Sequence, residues 1–437
     1  MTSTIGLGLL GVGTVGSAVV RALDERASYL ERTTGRSFEV RKALVRDLTK
    51  VRDVPLQASA FTSEINDVLM DDSIDVVVEL IGGVEPANSY LRRAIESGKH
   101  IVTANKEVMA THGVELLELA AESNRDLYFE ASVGGGIPLI GPFRQDLAAN
   151  QIREVHAILN GTTNYILTKM SAGDSDYKSA LAEAQHLGYA EPEPENDVDG
   201  HDSAFKLAIL ASLAFKSDIR PKDVFREGIT DLTPADFLHA AELGYSIKLL
   251  AIAKADANEV EVRVHPTLVQ KDFLLGQVDG VFNAVRLDGD LLGRAMFIGR
   301  GAGPEPTSSA IVADLIDLGH NIHRNEHNRI PLSFSPTPRV RPMAAVRSRY
   351  YFRVWVQDHP GVLAQIGTVC GEESVSIASV IQKEVDETAG RTAGRAELVF
   401  LTHEAEESSA QQAITRIAEL DVVAEVASCI RVEDLAE

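Results

Sequence analysis

The sequence predicts an α/β protein in three parts: an N-terminal doubly wound parallel sheet, an α+β domain, and a small C-terminal βαββαβ domain. Three observations predict it. A glycine-rich turn joins the first apolar strand to the first helix at residues 8–16, and strands and helices then alternate through the first 150 residues. The stretch 350–437 reads strand, helix, strand, strand, helix, strand, which is the ferredoxin-like order.

The first element is the short apolar run through Ile5 and Leu7, followed by Gly8-Leu-Leu-Gly-Val-Gly-Thr-Val-Gly16 and a helix from Ser17. Gly11, Gly13 and Gly16 fill G-x-G-x-x-G in its strand–turn–helix context, so the opening unit is Rossmann-type. One glycine allows the tight turn, one lets a pyrophosphate approach the backbone, and one lets helix pack on strand. Gly11, Gly13, Thr14, Val15 and Gly16 are therefore candidate cofactor contacts. The alternative is a glycine turn that binds no nucleotide. A second strand covers 38–45. Just after it, Arg46 with Lys50 suits a 2′-phosphate and favours NADP, while Asp47 keeps NAD open.

Residues 75–81 form a nearly continuous apolar run, as in a strand buried on both faces. A helix at 87–97, a strand at 100–103, a helix at 107–123 and a strand at 127–131 complete the sheet. Gly82-Gly83 and Ala104-Asn105-Lys106 then fall at strand C-termini, where such sheets bind ligands. Lys106 would contact substrate or cofactor, or be an ordinary exposed lysine. Glu130 and the three glycines that follow could turn carbonyls onto a hard cation, or form a plain tight turn.

From about Ile152 the texture changes, and 151–306 reads as an α+β domain. Helices are expected at 161–170, 176–187 and 201–215. Strands follow at 246–256, 260–269, 281–288 and 294–299, too close together for crossover helices, so the sheet is mostly antiparallel. The helix from His201 is apolar on nearly every side, yet carries Lys206 with Asp202 one turn earlier. Burial disfavours the ammonium and the aspartate favours it, the opposed tuning that suits a proton donor. The alternative is a structural ion pair. The acidic stretch Glu191-Pro-Glu-Pro-Glu, stiffened by two prolines, suits a substrate ammonium or is a solvated loop. A helix at 307–319 is expected to pack back on the nucleotide domain. Residues 320–349, with Pro331, Pro336, Pro338 and Pro342, read as a linker.

Composition bounds the rest. The 437 residues suggest roughly three domains. A net charge of −22 without a basic tract argues against nucleic acid and anionic membrane as partners. Two cysteines, Cys370 and Cys429, are too few for a disulfide framework. No secretory leader pattern and no long apolar span is legible, so the chain reads as cytoplasmic. No Cys/His spacing suggests zinc and no G-x-S-x-G suggests a serine hydrolase.

Taken together, these stretches resemble the monofunctional homoserine dehydrogenases with a C-terminal ACT domain. The resemblance rests on residues 8–16, Thr103-Ala-Asn-Lys106, Glu130-Ala-Ser-Val-Gly-Gly-Gly-Ile-Pro138, Leu159-Asn-Gly-Thr-Thr-Asn-Tyr-Ile166, Leu187-Gly-Tyr-Ala-Glu-Pro192 and 197–209. Asp358-His-Pro-Gly-Val-Leu-Ala364 is similar to the ACT amino-acid-binding signature. The resemblance spans essentially the whole chain. It departs from a common form in a third glycine where Gly-Ala-Gly is frequent and in His201 where an apolar residue is usual.

The resemblance implies NAD(P)H-dependent reduction of L-aspartate 4-semialdehyde to L-homoserine, on the route to threonine, isoleucine and methionine. It implies Lys206 as proton donor with Lys106 as second catalytic lysine, and Glu191, Asp202 and Lys106 on the substrate. Thr103, Lys106, Gly188 and Gly303 join the cofactor contacts. By the same resemblance Glu130, Val133, Gly135 and Ile137 match a monovalent, sodium-like cation site, three of them through carbonyls. The third domain would bind an amino-acid effector, threonine as end product, and drive assembly into a dimer or tetramer. Two other readings remain: a different semialdehyde or amino-acid dehydrogenase, and a catalytically silent amino-acid sensor.

Overall fold

The computed structural model describes residues 4–173, 175–256, 259–335, 339–383 and 394–435. Pro336 and Pro338 of the expected linker lie outside them. The chain divides into two compact units, each built from three separate stretches.

The first unit comprises 1–161, 202–224 and 282–338. Its six-stranded sheet runs in the order Phe61–Thr62, Ser37–Leu44, Thr4–Leu10, Val76–Glu79, His100–Thr103, Leu127–Tyr128. Every pairing along it is parallel. The order reverses between Ser37–Leu44 and Val76–Glu79, on either side of the first strand, which opens a crevice above the strand C-termini. The apolar run of residues 75–81 behaves as expected, with Val76, Val77 and Val78 completely buried. The last strand is shorter than the sequence suggests. It stops at Tyr128, and Glu130–Ser132 turns in a 3-10 helix.

Helix Pro304–Arg324 packs on this core through Ala310, Ile311, Leu315 and Leu318, beside Leu7, Leu9, Val19 and Leu23. It runs to Arg324, into the stretch expected as linker, and ends at Asn325 with φ +55. Asparagine is one of the few residues that accept that conformation, so it stops a helix as glycine would. The unit also holds an antiparallel trio of strands: Ile152–Ile158, Phe282–Gly289 and Gly293–Arg300. The first was not anticipated, because its seven residues sit directly before a helix.

The second unit comprises 162–201, 225–281 and 339–437. Strands Tyr245–Ala255 and Glu259–Gln270 form a long antiparallel hairpin. Strands Arg347–Gln357, Ile377–Lys383 and Arg395–Thr402, with Val423–Glu433, form the βαββαβ sheet with helices Val362–Glu372 and Glu407–Ala418. Tyr350, Phe352, Val354 and Val356 alternate along the first of these strands and face its core with Val362, Ile366, Phe400 and Ile417.

The C-terminal domain has its own apolar core, and its sheet continues into the hairpin. Its last strand pairs in parallel with the hairpin, Thr267 opposite Arg431 and Val269 opposite Glu433, so one sheet runs through both. Its first strand starts at Arg347, inside the expected linker, and both its faces are buried. On the face away from the apolar core, Arg353 binds Asp236 at 2.8 Å and Glu397 at 3.1 Å. Asp236 belongs to helix Pro234–Glu242, which the sequence reading missed although Thr233 and Asp236 form a capping box with proline at the first position. Among the described residues, no helix is long and apolar enough to cross a membrane.

Candidate active site

The glycine turn divides its labour as its spacing requires. Gly11 has φ +100, in the region side chains avoid, and its N–H donates to Leu44 O at 3.0 Å. A Cβ on Gly16 would stand 2.4 Å from Gly11 O, so helix and turn meet only over bare backbone. A Cβ on Gly13 would meet nothing within 4 Å. Gly13 caps helix Thr14–Glu25 with no side-chain partner, leaving the helix N–H groups open toward the crevice. Below that turn Arg46 and Lys50 are exposed. Asp47 is turned back on its own loop, accepting the Thr49 N–H at 2.8 Å and hydroxyl at 2.6 Å.

A crevice of about 320 Å³ opens beside this turn, lined by Val15, Gly82, Lys106, Ser132, Lys206, Gly301 and their neighbours. Lys106 enters from the end of strand His100–Thr103. Asn105 caps the helix that follows, its side chain accepting the Glu107 and Val108 N–H groups at 3.1 Å. Lys206 enters from helix His201–Phe215, where every residue from Asp202 to Ala214 except Phe205 is buried. The helix read as apolar on nearly every side is therefore buried, with Asp202 and Lys206 inside it.

Asp202 joins the two lysines. Its Oδ1 takes the Lys106 ammonium and its Oδ2 takes the Lys206 ammonium at 2.6 Å. Lys206 also donates to Leu159 O at 2.9 Å, and the Asn160 amide donates to Asp202 Oδ2 at 2.9 Å. Burial alone would push the Asp202 carboxyl up. Lys206 and Lys106 outweigh it and hold the group well below the usual carboxylate range. The arrangement is two ammonium groups about one carboxylate, a site with one surplus positive charge facing a crevice.

Sequence reasoning missed two supports of this site. Asn160 and Leu159 lie in the Leu159–Ile166 stretch, which carried the family resemblance without giving either residue a role. The other is Glu79, wholly buried at the end of its strand. Its carboxylate accepts the Ile81 N–H at 2.8 Å, the Thr103 hydroxyl at 2.6 Å and the Gly82 N–H at 3.3 Å. Burial pushes this carboxyl up, and those donors oppose it. Thr103, expected at the cofactor, thus spends its hydroxyl on Glu79.

The loop after Glu130 is a packing device as well as a candidate cation site. A Cβ on Gly135 would stand 2.5 Å from Gly301 O, and one on Gly136 2.9 Å from Pro306. Glu130 accepts the Leu139, Ile140 and Gly141 N–H groups at 2.5, 2.9 and 2.6 Å. Asp314 accepts the Glu130 N–H at 2.9 Å, and burial, then the Glu130 charge, pushes its carboxyl well up. Val133 and Ile137 are buried. Gly303 caps helix Pro304–Arg324 with φ +123. Gly188 and Glu191 belong to the second unit. Gly188 has φ +75, and the exposed Glu191 accepts Gln185 Nε2 on its carbonyl at 3.1 Å.

A homoserine dehydrogenase family model matches residues 138–316, and the model for the NAD-binding domain of the same enzyme matches 11–130. Homoserine dehydrogenase from a Synechocystis strain is 42% identical, covering 98% of this chain and 99% of its own. The chain belongs to the homoserine dehydrogenase family. The Pseudomonas aeruginosa enzyme of that name is likewise 42% identical over 98% of this chain and 99% of its own. The crystal structure of a homoserine dehydrogenase from Thiobacillus denitrificans superposes with a TM-score of 0.91 at 41% identity, covering 99% of both chains. A hyperthermophilic archaeal homoserine dehydrogenase, solved in complex with NADPH, covers 72% of this chain and 97% of its own at 26% identity and a TM-score of 0.61. An ACT-domain model matches 350–422.

The chain is thus an NAD(P)-dependent oxidoreductase acting between L-aspartate 4-semialdehyde and L-homoserine. Because Asp202 is held below its unfolded value of about 3.9, the stability it contributes is present above about pH 4 and is lost as pH falls further. Asp202→Asn should therefore cost about 3–5 kcal/mol at neutral pH, the usual loss on breaking a buried pair. The gap from the native chain should narrow below about pH 4. Urea unfolding of both proteins across that range measures it, and a gap independent of pH would remove the ion-pair account.

Proposed function

We propose that Lys206 is the proton donor of the reaction and that Lys106 and Asp202 hold it in place. The observation that carries this is the buried Lys206 ammonium, fixed by Asp202 and the Leu159 carbonyl yet lining the crevice beside the glycine turn. Bound NADP(H) supplies or takes the hydride. As the aldehyde carbon of the semialdehyde receives a hydride, its oxygen gains negative charge, which the Lys206 N–H stabilises. The ammonium then gives that oxygen its proton, leaving homoserine and a neutral amine, and solvent restores the proton. In the oxidative direction the same amine removes the hydroxyl proton.

Asp202 spends three of its lone pairs on Lys106, Lys206 and Asn160, which leaves one for a substrate ammonium. Glu191 shares that ammonium by resemblance, and Lys106 balances the substrate carboxylate. Gly11, Gly13, Thr14, Val15, Gly16 and the helix N-terminus suit the pyrophosphate, with Gly188 and Gly303 as backbone contacts and Thr103 acting through its main chain. We propose NADP as the preferred cofactor, because Arg46 and Lys50 are exposed where a 2′-phosphate falls and Asp47 is engaged by Thr49. The cation site keeps its assignment to Glu130, Val133, Gly135 and Ile137. Two adjacent buried carboxylates, Glu130 and Asp314, favour a positive charge there, although three N–H groups already hold Glu130. A monovalent ion such as sodium fits one remaining carboxylate lone pair and loop carbonyls.

For residues 350–437 we propose an amino-acid effector, threonine, at Asp358–Gly361, where Gly361 caps helix Val362–Glu372. Self-association into a dimer or tetramer is proposed through the edge strand Ile377–Lys383, which exposes Val380 and Ile381. The two free cysteines accord with a cytoplasmic protein, the compartment we propose.

Lys206→Ala should fold and keep cofactor affinity while turnover falls about 10²–10⁴-fold, the range for a positioned general acid. Steady-state assays with homoserine and NADP, beside fluorescence titration of NADPH, measure both, and near-native turnover would reject the donor. Arg46→Ala should cost NADP about 1.5–3 kcal/mol in kcat/KM and leave NAD nearly unchanged. Equal losses for the two cofactors would shift the selectivity to Lys50. Titrating the full-length protein calorimetrically with threonine, alongside the activity assay, should give heat and inhibition. Neither effect at millimolar threonine would leave the C-terminal domain structural.

A further inference from the structure

Asn283 lies inside the first unit with both ends of its carboxamide unsatisfied. It is the second residue of strand Phe282–Gly289 and is 1% exposed. Its Oδ1 and Nδ2 are buried atoms with no hydrogen-bond partner among the described residues. Ala284, Val285 and Leu287 of the same strand are wholly buried, so an apolar side chain would serve packing here. A buried amide left unpaired costs more than a made hydrogen bond returns, and it calls for an arrangement that pairs it.

The carboxamide lies against Gly301. A Cβ on Gly301 would stand 2.0 Å from Asn283 Nδ2 and 2.1 Å from its Cγ, so only bare main chain fits over the amide. Gly135 meets the same main chain, since a Cβ on it would stand 2.5 Å from Gly301 O. Gly301 and Ala302 line the crevice together with Lys106 and Lys206. Gly303, with φ +123, then caps helix Pro304–Arg324. Asn283 stands opposite Gly299 in the strand pair, and glycines at 299, 301 and 303 let this segment turn its peptides at little steric cost. The unpaired amide thus sits directly behind a pliable piece of the crevice wall.

We propose that Asn283 is a positioning residue for the dinucleotide: its carboxamide pairs with the Gly301 main chain when residues 300–303 settle against the bound cofactor. The inference rests on the placement of Gly303 at the cofactor proposed above. A carboxamide can both accept a main-chain N–H and donate to a carbonyl. Bonds made only in the settled arrangement add to cofactor affinity, because a ligand draws a protein toward the state with which it interacts better. Asn283 stands behind Gly301, so its effect falls on cofactor affinity and leaves the hydride and proton transfers alone.

The test is full-length Asn283→Leu, whose side chain has nearly the same shape. Fluorescence titration should show NADPH bound roughly five- to a hundredfold more weakly, the range for losing two modest hydrogen bonds, with KM for NADPH rising to match. At saturating NADPH, kcat should stay within about twofold of native. The melting temperature without NADPH should be unchanged or higher, because the substitution removes an unpaired buried amide. Asn283→Thr, which keeps a hydroxyl and suits a strand, should recover part of the affinity. An amide that serves only the strand pair would do the reverse in Asn283→Leu, with a lower melting temperature and unchanged affinity, and that result would overturn the inference. Ala302→Leu, which puts bulk on the exposed crevice wall, tests the cofactor placement separately. Unchanged NADPH affinity in Ala302→Leu would remove that placement and the inference with it. Weakened binding there, beside unchanged binding in Asn283→Leu, would overturn the role of Asn283 alone.

Discussion

The carboxylate of Asp202 is the constraint on which the active crevice depends. Burying it costs several kcal/mol unless it is compensated, and two ammonium groups with one amide supply that compensation. The compensation dictates positions. Lys106 comes from the end of a parallel strand, Lys206 from a buried helix, and Asn160 from the end of the antiparallel trio. Each element can shift only by stretching a charge-assisted bond in a water-poor setting. The same pairing that stabilises the interior thus sets the address of the reactive nitrogen, so fold and chemistry share one set of contacts.

A second buried acid plays the analogous part for the cofactor side. Glu79 ties the Ile81–Gly82 backbone to Thr103 on the neighbouring strand, so the two loops that flank the crevice are joined beneath it. Removal of either acid would leave several donors orphaned together, a larger loss than one hydrogen bond. Each acid also takes partners from distant stretches, Thr103 for Glu79 and Lys106 and Asn160 for Asp202.

That distribution explains how much was legible beforehand. The glycine turn, the apolar strand at 75–81 and the buried helix around Lys206 depend on local spacing, and spacing is written along the chain. Asp202 and Lys206 were visible as a pair because helical periodicity brings them one turn apart. Asn160 stood in a stretch that carried the resemblance, but its bond to Asp202 was not legible, since that partner is 42 residues away. The short strand Ile152–Ile158 was hidden by the helix that follows it. The continuity of the C-terminal sheet with the hairpin was not legible for a further reason: Val423–Glu433 pairs with Glu259–Gln270, and no pattern within either strand names its neighbour. Arg431 was readable only as the end of a strand and Glu433 lay beyond it, although Arg431 binds Glu227 at 2.5 Å and Glu433 binds Arg263 at 2.9 Å.

The parallel pairing of Val423–Glu433 with the hairpin also bears on how the chain comes off the ribosome. The hairpin is finished by Gln270, yet the strand that covers its flank is among the last residues made. The nucleotide domain waits too, because Ile311 and Leu315 of its core follow the whole substrate segment. Neither unit can close in the order of synthesis, and each exposes unpaired edge or apolar surface until the chain is nearly complete. Assembly is therefore a late, collective event, dominated by contacts between distant stretches, and slow folding with a need for protection from aggregation is built into the topology.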